Sequence, residues 1–148
     1  MSRAGLGKVY VVEGTMNSQQ YVHVLKTRLK RQANDWFDGE WILQQDNAPC
    51  HTSKASKQCM REEGIQVLDW PSSSPDMNPI ETLWAVIKQK LRQTTLTSKT
   101  ALINAVLNIC MRDTEMREKI NETCRKLVDA MPLRVEALLQ AKGGHTKY

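Results

Sequence analysis

Two acidic residues carry the sharpest chemistry in this sequence. Asp46 closes the apolar run Trp41-Ile42-Leu43, and Glu81 stands in the first turn of a helix predicted to start after Asn78. Carboxylates at a strand end and at a helix start can meet at one edge of a sheet and share a divalent metal. Two such ions, about 3.5–4 Å apart, would make a water or a hydroxyl nucleophilic and stabilise the leaving oxygen in line with it. Oxygen ligands favour Mg or Mn, whereas zinc would call for His or Cys. His51 follows Asp46 closely enough to reach such a site, and Asn47 and Asn78 are candidate supporting groups. Each of these residues also has an ordinary structural role. Asp46 can close an Asx turn with Asn47, Glu81 can be the acid of a capping box behind Asn78, and His51 can brace a loop.

The elements that must position these groups can be laid out from pattern alone. Ala4-Gly5-Leu6-Gly7 predicts a tight turn, and Lys8 to Val12 a short strand that stops at Glu13-Gly14. Asn17 can cap a helix running to about Gln32, with Tyr21, Val24, Leu25 and Leu29 at helical spacing, before a loop marked by Asn34-Asp35 and Asp38-Gly39. A strand from Glu40 to Gln45 follows, then a helix capped by Thr52 or Ser53 that runs to about Glu63, with Gly64 ending it and Ile65 to Leu68 forming the next strand. Strand, helix, strand with short connections implies a parallel pair and an α/β architecture.

Pro71, Pro75 and Pro79, with three serines between the first two, exclude regular structure from Trp70 to Met77. Asn78 then caps a helix with Pro79 first, where its missing N–H costs nothing. Ile80, Leu83, Trp84, Ile87 and Leu91 form its apolar face, and Trp70 and Trp84 are expected in the core. Beyond Arg92 the pattern is helical. Ser98 opens one segment with Leu102, Ile103, Val106, Leu107 and Ile109 buried, and Asp113 or Thr114 opens the next, with Met116, Ile120, Cys124, Leu127 and Val128 inward. Met131-Pro132 opens the last, with Val135, Leu138 and Leu139 inward, and Gly143-Gly144 ends it.

Size and composition set the outer bounds. At 148 residues the chain is long enough for one domain with a core, and 41% hydrophobic with 25% charged residues argues against disorder. A net charge of +5 is compatible with a polyanionic partner and is weak evidence by itself. Lys54, Lys57, Lys88 and Arg92 could meet phosphates through charge, or simply form solvated faces. Cys50, Cys59, Cys110 and Cys124 lack metal-site spacing, so reduced thiols in an intracellular compartment are expected, and no apolar run is long enough for a membrane span.

The block Asp46-Asn47-Ala48-Pro49-Cys50-His51-Thr52 and the block Ser74-Pro75-Asp76-Met77-Asn78-Pro79-Ile80-Glu81 leave 34 residues between their two acids. With this spacing they resemble the DDE integrase region of mariner-superfamily transposases, in the branch whose third acid is Glu. The likeness runs from Gly7 and Glu13-Gly14-Thr15-Met16-Asn17 to Met131-Pro132-x-Arg134 and Ala141 to Tyr148, nearly the whole chain.

The resemblance implies an RNase H-like α/β fold, a mixed sheet with helices on both faces, and a helical C-terminal part. Residues 4–95 would form the α/β portion and residues 96–148 the helices. It casts Asp46 and Glu81 as catalytic Mg or Mn ligands. It also implies DNA as partner (transposon ends and target), a homodimer or a full-length transposase as assembly partner, and the nucleus as location. The family's first Asp lies upstream of the segment matching Gly7 to Glu13. The expectation is therefore an N-terminally truncated domain, with its first two strands missing and the Asp46 strand left with an open edge. Of the acids that could substitute, Glu13 follows a strand that the family pattern places away from the metal edge, Asp69 and Asp76 are nearer, and none matches the family's first Asp. Such a chain would be catalytically incomplete alone. The rival readings are a non-catalytic module binding DNA or a transposase, and a separate hydrolase holding zinc with Asp46, His51 and Glu81.

Overall fold

The structure is a computed structural model that describes residues 1–71, 74–144 and 146. It divides into two compact units, a central one, Tyr10–Ser73, and a terminal one, Met1–Val9 with Ser74–Tyr148.

The central unit begins with α1, Ser18–Val24. Asn17 and Gln20 cap it reciprocally: Asn17 Oδ1 accepts the Gln20 N–H at 2.9 Å and Gln20 Oε1 accepts the Asn17 N–H at 3.0 Å. The helix passes through one π-helical turn, Leu25–Leu29, into α2, Lys30–Phe37. It thus outruns the expected end near Gln32. Asn34 and Asp35, predicted as loop, sit inside α2, and the chain turns only where Asp38 and Gly39 both take positive φ, 50° and 86°. A short α3, Pro49–Thr52, with Pro49 in its first turn, was not foreseen. Ser53, one of the two predicted caps, starts α4, Lys54–Glu62, by accepting the Ser56 N–H at 3.1 Å. Gly64, at φ 65°, lets the Ile65 N–H return to the Met60 carbonyl. Tyr21 and Leu25 pack with Cys59, Met60 and Ile65 as the core of this unit.

The mixed sheet expected from the sequence is not formed. Among the described residues there is no strand, only two isolated bridges, Ser2 with Gly5 and Leu43 with Val67. The second is parallel, as the strand, helix, strand order required. It rests on two bonds, Leu43 N–H to Gln66 O at 2.8 Å and Leu68 N–H to Leu43 O at 2.9 Å. Residues 8–12 form no strand. The physical reason is that a two-segment parallel pair has no ladder on its outer edges to hold the backbone extended, and an isolated pair is marginal in water. Ile42, which a sheet would cover, is 60% exposed.

The terminal unit is helical. Asn78 caps α5, Pro79–Leu91, and Ser98 caps α6, Lys99–Leu107, which runs on through a π-helical turn, Asn108–Arg112. Asp113 caps α7, Thr114–Asp129, and Ala130 leads into α8, Met131–Gln140. Leu83, Ile87 and Leu91 meet Ile109, Cys110, Ile120 and Cys124 in the core. Burial pushes the thiols of Cys110 and Cys124 upward, so they pack as neutral groups, and all four cysteines are free.

Several predicted inward residues are not inward. Trp84, Leu102, Val135 and Leu139 are exposed, Trp70 is half-buried, and α8 buries Arg134 in place of its apolar stripe. Of the predicted irregular stretch and the C-terminal motif, Ser72, Ser73, His145, Lys147 and Tyr148 lie outside the described residues. None of the described helices is long and apolar enough to cross a membrane.

Gly5 is closely packed against α7. Its φ is 125°, the Leu6 N–H donates to Asn121 Oδ1 at 3.0 Å, and a Cβ at Gly5 would lie 2.5 Å from that oxygen. Gly5→Ala should therefore lower stability by about 1–2 kcal/mol, through backbone strain and displacement of Asn121. Urea denaturation checks this, and an unchanged midpoint would refute it.

Candidate functional site

Asp46 lies in the central unit, just past the bridged Leu43. Its Oδ1 accepts the Ala48 N–H at 3.1 Å, which makes the Asx turn, and is 2.7 Å from His51 Nδ1. The pairing geometry makes Nδ1 the donor, so both the turn and the brace weighed from the sequence are present together. The His51 ring is in turn held 4.3 Å from the Tyr21 ring, tilted by 40°. The Tyr21 hydroxyl donates to Gln45 Oε1, and burial, followed by the nearby Cys50 and Asp46, pushes that phenol well above its ordinary value. Tyr21 therefore stays protonated and fixes the chain just before Asp46. Asn47 Nδ2 donates to the Trp70 carbonyl at 3.1 Å. Beneath this loop the fully buried Ser56 donates its hydroxyl to the Cys50 carbonyl at 2.6 Å. The Asp46 side chain is left 60% exposed on this braced loop, and that of His51 21% exposed.

Glu81 lies in the terminal unit, exposed in the first turn of α5. Asn78 accepts the Ile80 N–H at 3.3 Å, and the Asn78 N–H bonds back to Pro75 O at 3.0 Å. The segment before α5 is braced from α8. Arg134 Nη1 donates to Asp76 O at 2.8 Å, and Nη2 donates to Thr82 Oγ1 at 3.0 Å. Asp76 Oδ2 also accepts the Thr146 hydroxyl at 3.1 Å, so this carboxylate, one of the candidate substitutes, already has a structural task.

The structure thus brings Asp46 together with His51 and Asn47, and Asn78 together with Glu81. Lys54 and Lys57 are exposed on α4, while Lys88 on α5 and Arg92 at its end are exposed in the other unit. Among the described residues no group of three or more His, Cys, Asp or Glu side chains is placed to hold a metal ion. Two site residues escaped the sequence reading. Arg134 stood in a quoted motif but received no role, and Arg61 lies one helical turn beyond Lys57, a spacing that could have flagged it.

A family described as DDE superfamily endonuclease matches residues 1–103, a span holding both acids. The transposase of transposable element Tcb1 from Caenorhabditis briggsae is 30% identical over 147 residues, covering 99% of this chain and 52% of that protein. The Tc1 transposase of Caenorhabditis elegans is 32% identical over 143 residues, covering 97% and 50%. The chain therefore spans about half the length of the curated relatives it matches. In backbone it is similar to the crystal structure of the catalytic domain of Mos1 mariner transposase, at TM-score 0.80 and 20% identity, over 98% of this chain and 72% of that one. The Mos1 mariner paired end complex with Mn gives a TM-score of 0.81 at 21% identity, over 98% and 43%.

Proposed function

The chain belongs to the DDE superfamily endonucleases, and from that membership we propose that it forms part of the catalytic domain of a Tc1/mariner-type transposase acting on DNA. The observation that carries this reading is the Asp46 loop. Its carboxylate is exposed, with one oxygen engaged by Ala48 and His51 and the other left for a cation. Asp46 and Glu81 fit as two of the ligands for Mg or Mn. Bound there, the metal would activate the attacking water or hydroxyl and stabilise the leaving oxygen. What the chain itself does is hold the first of these acids rigid through Tyr21, His51 and Asn47, and the second through the Asn78 cap and Arg134.

Mos1 has been solved as a paired end complex, and that supports DNA as the partner here, with Lys54, Lys57, Lys88 and Arg92 as phosphate contacts. A second copy, or a longer transposase, would be the assembly partner. Action on chromosomal DNA would place the protein in the nucleus.

A three-acid metal site needs one acid more than Asp46 and Glu81. Glu13, Asp69 and Asp76 do not match it, and the described residues form no three-ligand group. The second reading is a module that binds DNA or a transposase without cutting. The 148-residue polypeptide alone is therefore expected to bind transposon-end duplex in a salt-sensitive way and to leave it un-nicked in millimolar Mg or Mn. Binding should survive Asp46→Asn. Nicking that Glu81→Ala abolishes would overturn the incomplete-site reading, and no binding even at low salt would overturn the DNA reading.

A further inference from the structure

Two hollows among the described residues of the central unit differ in the kind of charge they carry. The larger, about 780 Å³, is lined by Lys30, Glu63, Asn34 and Trp41, whose polar groups pair with one another. Lys30 Nζ bonds Glu63 at 2.8 Å, and Asn34 Oδ1 accepts the Trp41 indole N–H at 2.7 Å. The Lys30 hydrogen bond and charge hold the Glu63 carboxyl below the usual carboxylate range, a sign that this hollow is electrostatically settled.

The smaller cleft, about 470 Å³, runs between α4 and the segment from Ile65 to Trp70. Lys57 and Arg61 line it from adjacent turns of α4. Among the described residues of this unit the ion pairs are those of Lys26 and Lys30 with Glu63 and of His51 with Asp46, so both cations in the cleft remain for an outside anion. Trp70 also lines it, and its carbonyl accepts from Asn47 Nδ2. Gln45 and Asp69 line the same cleft. Gln45 Oε1 is engaged by Tyr21, so its amide N–H groups serve as donors, and the Asp69 carboxylate is an acceptor. The cleft therefore combines phosphate-binding charge, an aromatic face, and a donor with an acceptor.

We propose that this cleft takes one unpaired nucleotide of a DNA strand, its phosphate on Lys57 and Arg61, its base against Trp70, and its edge met by Gln45 and Asp69. The proposal rests on the DNA reading above and adds a site and a substrate form to it. A base inside an intact duplex offers neither face for stacking. An extrahelical one offers both, and stacking tolerates any base identity. The cleft volume lies within the range of ordinary small-ligand pockets, roughly 300–1,000 Å³. The cleft shares His51 with the Asp46 loop, so a nucleotide held in it would bring its strand to the candidate metal ligand.

The test is fluorescence anisotropy on the 148-residue protein with two labelled duplexes of one length, one fully paired and one carrying a single extrahelical nucleotide. The bulged duplex is expected to bind about tenfold tighter, and Trp70→Ala to remove that preference, since loss of base–aromatic stacking costs roughly five- to a hundredfold. Trp70→Phe should retain the preference, because a phenyl ring still stacks. Arg61→Gln should weaken binding of both duplexes, with a shallower salt dependence. Equal binding of the two duplexes by the wild-type protein, or a preference untouched in folded Trp70→Ala, would overturn the cleft proposal and leave the DNA reading standing. Failure to bind either duplex would remove both. The wild-type comparison decides the matter even if Trp70→Ala does not fold.

Discussion

Arg134→Ala is expected to lower the stability of the protein by about 2–4 kcal/mol, a large effect for one residue of a helix on which Leu133, Val135 and Leu139 face water. Arg134 is 3% exposed, whereas Leu133 and Leu139 on the same helix are 59% and 73% exposed. Its guanidinium spans two points on either side of the Asn78 cap, the Asp76 carbonyl at 2.8 Å and the Thr82 hydroxyl at 3.0 Å. Truncation leaves both half-buried acceptors without their charged donor, at up to about 1–3 kcal/mol each before relaxation, and removes the packing of the aliphatic stem. Lysine cannot repair this. Its ammonium is a point donor and does not reproduce the planar fork that reaches two acceptors, so Arg134→Lys should recover less than half of the loss. Urea denaturation of the three proteins measures the effect. A change within about 0.5 kcal/mol for Arg134→Ala, the range of ordinary surface substitutions, would show that the fork is dispensable. Because Asp76 and Thr82 flank Glu81, the same variant should raise amide exchange at residues 80–82, which links the brace to the candidate acid.

What could be read from the sequence follows a physical divide. Caps were legible because each is a bond between a side chain and a backbone N–H two or three residues away. Asn17 and Asn78 cap as expected, Ser53 and Asp113 are each one of the two residues expected at their helix starts, Ser98 caps the segment it was expected to open, and Gly64 takes the left-handed conformation its helix end requires. The sheet was not legible. Leu43 and Val67 are apolar, suitably spaced and joined in the parallel sense, yet a ladder depends on neighbours along both edges, which no local window contains. The chain still shares its backbone path with the Mos1 catalytic domain, so similarity of path and presence of a hydrogen-bonded ladder are separate properties. Helical periodicity located the stripe on α8 but could not say what lay opposite it. There the buried side is set by the carbonyl of Asp76 and the hydroxyl of Thr82, which suit a guanidinium better than a leucine. In the site, Asp46 and His51 meet across a turn of five residues and were foreseeable. The cleft of Arg61 and Trp70 depends on how α4 packs against the segment after Gly64, and it was not.

Leu83→Ala should produce a loss at least as large, about 2–5 kcal/mol. Leu83 is fully buried two residues after Glu81, and its side chain joins Ile87 and Leu91 on α5 with Ile109, Cys110, Ile120 and Cys124. Two of those neighbours are cysteines, also fully buried, whose short side chains cannot swing far enough to refill the space a leucine leaves. The cost should therefore fall in the upper part of that range, since the penalty grows with the cavity that remains. Leu83→Met keeps the volume and should cost under about 1.5 kcal/mol, which separates cavity formation from any particular need for leucine. The effect should also be directional. Glu81 is exposed and depends on α5 for its place, so a loosened α5 would leave its carboxylate present but less well fixed. Hydrogen exchange should accelerate along residues 83–91 and in the facing part of α7 near Ile120 and Cys124. If Leu83→Ala melts with the wild-type protein while those amides stay protected, α5 is not held by this core, and the account of how Glu81 is positioned would have to be abandoned.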